Sequence, residues 1–286
     1  MATTIRNPIE WGFSQMQHVV TAVEVTGQAV RGHTDVSAAP AIRHIDIADL
    51  REALAQGLAD FGAARSDVIF LCLIYPIAGL VLGHAVFGSG MFPMLFPLVS
   101  GFALIAPFIA VGLYEMSRQR AEGHEADWKT AFDVLHAPSF GAILTLGIAL
   151  LAIFLLWLGA AQVIYDMTLG PREPASVAHF LHDVFATPQG RSMIVIGVGV
   201  GFLFAVFAFA ISVVSFPLLL DRDVGLGIAV STSVRAVIAN PLPMAVWGAI
   251  IAAGMIVGSL PLLLGLIVIL PVLGHASWHL YRKLVV

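Results

Sequence analysis

Four long stretches of this chain lack Asp, Glu, Lys and Arg altogether: Val68 to Tyr114, Val134 to Tyr165, Ser192 to Leu220 and Ala236 to Tyr281. A fixed charge at the centre of a bilayer costs about 2.5–3.5 kcal/mol on insertion scales. Long uncharged apolar runs therefore read as membrane spans, and the charged gaps between them as wet loops. Charge is scarce overall, at 11% of the 286 residues, while 59% are hydrophobic and the mean hydropathy is +0.93. Ordinary soluble domains carry about 25% charged residues. A soluble fold is excluded, because no globule of this length could hide so much apolar surface.

Cysteine is nearly absent. The single Cys72 excludes an intramolecular disulfide and leaves the redox compartment open. The net charge of −4 is small and says little about partners, and no basic tract points to nucleic acid. Residues 1–40 hold no apolar core of signal-peptide length, since Arg6, Glu10, Glu24, Arg31 and Asp35 interrupt them. The spans themselves are expected to serve as the targeting signals.

What is present divides into six spans. The first run breaks at Phe87-Gly-Ser-Gly-Met-Phe-Pro93, giving spans at 68–87 and 92–117. The middle runs give spans at 139–165 and 192–220. The last breaks near Gly258-Ser-Leu-Pro261, giving 242–258 and 261–283, the former also readable as a re-entrant segment. The predicted fold is an all-α transmembrane bundle of three in-out-in hairpins. Arg43, Arg51, Arg65, Arg118, Arg120, Lys129, Arg222, Arg235, Arg282 and Lys283 fall on one side, and only Arg172 and Arg191 on the other. The positive-inside rule then puts both termini in the cytoplasm. Trp157, Tyr165, Trp247, Trp278 and Tyr281 fall near predicted span ends and are expected to be interfacial.

Outside the spans, residues 9–30 place Ile9, Phe13, Met16, Val20, Val23 and Val30 on one helical stripe. This amphipathic helix would lie on lipid or dock another protein. Residues 1–42 thus form a helix plus linker, ahead of a membrane domain at 43–286. A second amphipathic helix is expected at 47–62, with Asp46 or Asp49 as N-cap, and a third at 177–185. Internal repeats are expected at about 47–120, 125–222 and 223–286. Pro107, Tyr114, Glu115 and Arg118 correspond at one constant offset to Pro271, Trp278, His279 and Arg282.

Candidate chemistry is sparse. His275 and His279 share a helix face at a spacing that can hold metal or haem. A transmembrane haem would need a facing histidine, and His84 stands near the opposite end of its span. The pair is therefore expected to be interfacial, and no cofactor, metal or catalytic residue is predicted. Glu115 with Arg118, and Asp221 with Arg222, are expected to neutralise each other at span ends, as a gate, a docking surface or plain snorkelling. Together with His279 and Arg282 they form the polar clusters of the cytoplasmic side. Gly197-Val-Gly199-Val-Gly201 imitates a nucleotide loop, but it lies inside a span with no preceding strand. Gly79/Gly83, Gly197/Gly201 and Gly254/Gly258 instead read as small-residue faces for helix packing. Ser100, Thr145, Gln162, Ser212 and Ser215 are the main intramembrane polar groups besides histidine. With no ionisable residue near a midplane, ion-coupled transport is disfavoured.

Several segments together resemble the bacterial integral membrane family called domain of unknown function 2189. They are Thr4-Ile-Arg-Asn-Pro-Ile-Glu-Trp11, Ala48-Asp-Leu-Arg-Glu-Ala53, Phe70-Leu-Cys-Leu-Ile-Tyr-Pro76, Val111-Gly-Leu-Tyr-Glu-Met-Ser-Arg118, Ser215-Phe-Pro-Leu-Leu-Leu-Asp-Arg-Asp223 and Leu273-Gly-His-Ala-Ser-Trp-His-Leu-Tyr-Arg282. The resemblance spans essentially the whole chain. It implies a proteobacterial, specifically alphaproteobacterial, inner-membrane protein with no established activity. Some members of that family bear the label cytochrome c oxidase subunit I. This chain speaks against that label, because a haem-copper core needs about six histidine ligands and the spans here carry three at mismatched depths. The leading expectation is a non-catalytic accessory, assembly or scaffold protein. Its partners would be lipids, other membrane subunits or further copies of itself, in a respiratory or photosynthetic complex for example. The alternative is a transporter or channel for a neutral or amphipathic solute.

Overall fold

The structure, a computed structural model, describes residues 40–64, 92–170, 176–261 and 263–286, with isolated positions 68, 69, 73, 77, 79, 81, 84 and 174. The amphipathic stripe at 9–30, Cys72, Gly83 and most of the expected span at 68–87 lie outside the described residues. All regular elements among those described are helical, save one isolated β-bridge.

Helix α1 runs Ile47–Ala63, and both acids at its start are used: Asp46 accepts from the Asp49 amide while Asp49 accepts from the Asp46 amide. This reciprocal capping satisfies two of the free donors at the helix start. Helix α2 (Leu95–Ile109) and helix α3 (Val111–Ala121) follow each other with a break at Ala110, just past Pro107. Proline inside a helix removes one backbone donor, which explains the change of course there. A 3₁₀ segment at Thr130–His136 precedes the next long helix. Helix α4 is Phe140–Thr168, α5 is Val177–Ala186, and α6 is Pro188–Ser212, with Pro188 at its first turn and the Thr187 hydroxyl capping Gly190. Helix α7 (Ser215–Asp221) continues α6 after a break at Val213–Val214. Helices α8 (Leu226–Ala239), α9 (Pro241–Ser259) and α10 (Leu266–Leu284) complete the order.

Four stretches among the described residues are long and apolar enough to cross a membrane: Leu95–Ala121, Phe140–Thr168, Pro188–Asp221 and Pro241–Ser259. The last, at 19 residues, is just long enough to cross by itself. Helix α10 falls outside this set. Its first half is apolar, but its second half carries His275, His279, Arg282 and Lys283 and is buried. Six spans are therefore not reached among the described residues.

The packing is uneven along the molecule. The α6–α7 stretch is only 6% buried over its most apolar window, and Val195, Phe202 and Leu203 face outward. Such faces are at home against lipid tails. The core lies instead where α1, α3, α4, α7, α8, α9 and α10 converge, around Trp247, Trp278, Tyr281, Phe216 and Leu50. Chain ends of the helices are tied there by polar groups. The Asn240 carboxamide accepts from the Ile45 amide at 2.9 Å and donates to the Arg43 carbonyl at 3.2 Å. Residues 41–43 pair with 284–286 through backbone hydrogen bonds, centred on an Ile42–Val285 bridge. The break between α6 and α7 is satisfied by α8: the Val214 amide donates to the Ser233 hydroxyl, and the Ser215 hydroxyl donates to the Ala229 carbonyl.

Two sequence expectations change. The five aromatics expected at a membrane interface are all buried among protein. Trp157 illustrates why. It sits within α4, its indole N–H donates to the Pro97 carbonyl at 3.0 Å, its ring lies 5.8 Å from that of Phe204, and Gly201 leaves room for it. Its position along the chain suggested a depth, but its helix face decided its environment. The small-residue faces also divide. Gly254 and Gly258 pack on α10 side chains, Gly79 on Leu263, and Gly201 on Trp157, whereas Gly197 looks onto open space. The Gly197/Gly201 pair therefore does not act as one packing face within the chain.

Candidate functional site

A buried polar network lies where α1, α3 and α10 meet, and it is built by close helix approaches. Gly57 on α1 faces the backbone of Ala276 on α10, and a Cβ there would stand 2.5 Å from the Ala276 amide nitrogen. Gly274 on α10 similarly admits Leu113 of α3. Nearly one turn beyond Gly57, Asp60 is carried into the space between the three helices, with its side chain only 10% exposed. His275 and His279, four residues apart on one face of α10, stand beside it, as do Ser117 and Arg120 on α3.

The contacts are short and mutually consistent. Asp60 Oδ2 accepts from Ser117 Oγ at 2.7 Å and lies 2.7 Å from His279 Nε2. Asp60 Oδ1 pairs with Arg120 Nε at 3.1 Å. Ser117 Oγ lies 2.8 Å from His275 Nδ1. A buried carboxylate with no donors would be costly, and three donors here offset that cost. Burial works against ionisation of Asp60, but the hydrogen bonds from His279 and Ser117 prevail and hold its carboxyl below the usual carboxylate value.

Proton positions follow from this pattern. An ionised carboxylate only accepts, so Ser117 gives its one proton to Asp60 and must accept from His275 Nδ1–H. Burial outweighs the pull of Asp60 and pushes His275 down to about 4, so the imidazole is neutral at pH 7. A neutral imidazole has a single N–H. Nε2 therefore presents a bare lone pair, and this buried atom has no hydrogen-bond partner among the described residues. A cavity of about 470 Å³ is lined by Asp60, Met116, Arg120, Glu125, Asp127 and His275 among others.

This network sets a pH dependence. The unfolded His275 takes up a proton near its ordinary value of 6.5, whereas the folded one resists until about pH 4. Its contribution is thus fully present above 6.5 and is lost as pH falls toward 4. The lowered Asp60 value adds a further loss at still more acid pH, below 3.8. Thermal unfolding in mild detergent is expected to show stability falling by on the order of 3 kcal/mol between pH 6.5 and 4. A His275→Gln variant should show a flatter profile across that window. An unchanged slope would refute the assignment.

The sequence-predicted site residues distribute as follows. His275 is 1% exposed, so it is a core residue and not an interfacial one. His279 is bound to Asp60, which the sequence reading did not single out. Glu115 and Arg118 do pair, at 2.6 and 2.8 Å, with Glu115 itself buried. Asp221 pairs with Arg282 at 3.1 Å, accepts from the Tyr281 phenol at 2.6 Å, and lies 3.7 Å from Arg222. Burial and the neighbouring Asp221 both push the Tyr281 phenol well up from its usual range. Lys283 reaches Glu52 at 2.7 Å and Asp49 at 3.4 Å, which raises its ammonium above the ordinary lysine value. Among the described residues, no three His, Cys, Asp or Glu side chains gather as a metal site. Asp60, Ser117 and Arg120 are the residues that sequence reasoning missed. One signal was present: Asp60 falls on the same helical stripe as Leu50, Ala53, Gly57 and Phe61, all buried.

Residues 95–221 match the family described as "Predicted integral membrane protein (DUF2189)". The resemblance read from the sequence is thereby borne out over that stretch, which includes Val111–Arg118 and most of Ser215–Asp223. The segments quoted near residues 4–11, 48–53, 70–76 and 273–282 lie outside it. No curated protein and no solved structure matches the chain. The matched stretch holds Ser117 and Arg120, while Asp60, His275 and His279 come from either side of it.

Proposed function

We propose that this integral membrane protein, with the domain of unknown function 2189 at its centre, is a non-catalytic scaffold or assembly subunit of a larger inner-membrane complex. The observation that supports this reading is how its polar groups are spent. Asp60, Asp221, His279, Arg282 and Lys283 bind other helices of the same chain, locking one end of the molecule, while Glu115 and Arg118 pair with each other on α3. The spans meanwhile offer apolar flanks, such as Val195, Phe202 and Leu203 on α6. In this reading the locked end lies in the cytoplasm with both termini, following the excess of Lys and Arg on that side. The three units at 47–120, 125–222 and 223–286 are duplications of one packing element. Mild-detergent purification of the full chain from its native membrane, with mass spectrometry of the eluate, tests the reading. Membrane proteins in fixed ratio to the chain are expected. Recovery of the chain by itself would overturn the proposal.

A further inference from the structure

Helix α5 (Val177–Ala186) is held by the bundle on one side and bare on the other. On the held side Val184 is buried, the Phe180 ring lies 6.3 Å from that of Tyr165 on α4, and Gly190 of α6 lets the α5 backbone at Asp183 and Val184 come close. A single residue, Thr187, joins α5 to α6. Its hydroxyl donates to the Asp183 carbonyl and accepts from the Gly190 amide at 3.0 Å, so the corner is fixed. On the bare side Val177, Leu181 and Phe185 are 42%, 48% and 69% exposed, and their four-residue spacing sets them on one stripe. His179 and His182 lie around the helix from that stripe with exposed side chains, and His179 stands 3.4 Å from Asp183. The helix is thus amphipathic beyond what its packing on α4 and α6 uses.

The neighbouring span indicates what lies against this face. On α6, Arg191, Val195, Val198 and Phe202 recur at the spacing of one helix stripe, and all are exposed. That stretch is only 6% buried over its most apolar window, so the stripe faces lipid chains. Arg191 is the one charge in the stripe and stands at its start. A guanidinium belongs at the level of the headgroups, and the valines and phenylalanine after it belong in hydrocarbon. The hydrocarbon boundary therefore falls at the first turns of α6, and α5 joins the chain just before Pro188, on the headgroup side of that boundary. Met167, in the last turn of α4, is exposed at the same end. Because Pro188–Asp221 is one stretch long enough to cross the membrane, this end is the one opposite Asp221 and its ion pairs. We propose that α5 is a lipid-binding helix lying in the plane of the bilayer, with Val177, Leu181 and Phe185 inserted among the acyl chains and His179 and His182 turned to headgroups and water. Helices of this kind sink their apolar face about 5–10 Å into the boundary layer. Bilayer lipid is the occupant because the two spans that hold α5 fix its depth at the membrane surface.

The test places one nitroxide spin label at a time on the full chain, reconstituted in nanodiscs of phosphatidylcholine. Cys72→Ser supplies the label-free parent, and Leu181→Cys, Phe185→Cys and His182→Cys supply the labelled variants. Collisions with oxygen, which concentrates in hydrocarbon, are compared with collisions with a water-soluble nickel chelate. The oxygen-to-nickel ratio at 181 and 185 is expected to be several-fold higher than at 182, with the labels about 5–10 Å below the phosphates. A nickel-dominated signal at 181 and 185 would put the stripe in water and overturn the proposal. Labels shielded from both agents would mean that protein covers the stripe, a second copy or another part of this chain, and would overturn it equally. The unaltered chain gives an independent reading. In nanodiscs doped with a phospholipid carrying a photoactivatable diazirine near the top of its acyl chain, cross-links mapped by mass spectrometry are expected within residues 177–185. Cross-links on residues 195–203 of α6 with none on 177–185 would also overturn the proposal.

Discussion

Replacing Asp60 by Leu is expected to destabilise the protein by about 3–5 kcal/mol, the usual cost of removing one partner from a buried charged network. The magnitude follows from what is left behind. His279 loses the acceptor 2.7 Å from its Nε2, Ser117 loses its acceptor, and the Arg120 guanidinium loses its partner at 3.1 Å. Arg120 is 44% exposed on its side chain and can turn to water. Ser117 is enclosed and cannot, and His279 is only 17% exposed on its side chain. In a chain of this size the loss corresponds to a fall of roughly 6–20 °C in unfolding temperature. The informative companion is the triple variant Asp60→Leu with His279→Leu and Ser117→Ala. Removing the stranded groups together should recover much of the loss, because apolar replacement of a whole buried polar set is often close to neutral. A single variant within about 1 kcal/mol of the parent, or a triple variant no better than the single, would contradict the network described here.

The second large effect is a difference of sign within one helix. Glycine inside a helix costs about 0.5–1 kcal/mol relative to alanine, so propensity favours Gly→Ala at both Gly57 and Gly62 of α1. At Gly62 a Cβ would meet nothing within 4 Å, and Gly62→Ala should gain up to about 1 kcal/mol. At Gly57 the added Cβ would stand 2.5 Å from the Ala276 nitrogen and 2.7 Å from its Cα. Backbone atoms cannot swing aside as a side-chain tip can. Overpacking of this kind costs about 1–3 kcal/mol, which overrides the propensity gain. Gly57→Leu should go further, separating α1 from α10 and releasing Asp60 from His279. Thermal unfolding of the three variants in one detergent measures this. If Gly57→Ala and Gly62→Ala moved in the same direction, the close packing of α1 on α10 would be wrong.

The membrane segments were legible because the bilayer imposes a harsh and local rule. Uncharged runs and flanking prolines placed spans at 139–165 and 242–258, and the helices occupy Phe140–Thr168 and Pro241–Ser259. The cap of α1 was legible for the same reason, as capping chemistry lies within four residues of chain. The network was not, because its partners lie far apart: Ser117 is 57 residues from Asp60 and His279 is 219. A carboxylate on an apolar stripe signals that some partner exists but does not name it. The aromatic residues show a related limit. Position along a helix predicts depth, yet burial depends on which way the helix is turned, and that is set by neighbours such as Gly201 beside Trp157.

The long reach between α1 and α10 also imposes a timetable on biogenesis. At elongation rates of about 5–20 residues per second, roughly 10–40 s separate the synthesis of Asp60 from that of His279, which it meets 219 positions later. The Asp60 carboxylate can meet Ser117 and Arg120 once α3 is made, but until α10 emerges it lacks His279 and the apolar stripe of α1 lacks the helix it packs on. Insertion of the intervening spans must therefore precede closure of the helical cap, and a ribosome that stalls before α10 would leave α1 exposed to chaperones and proteases.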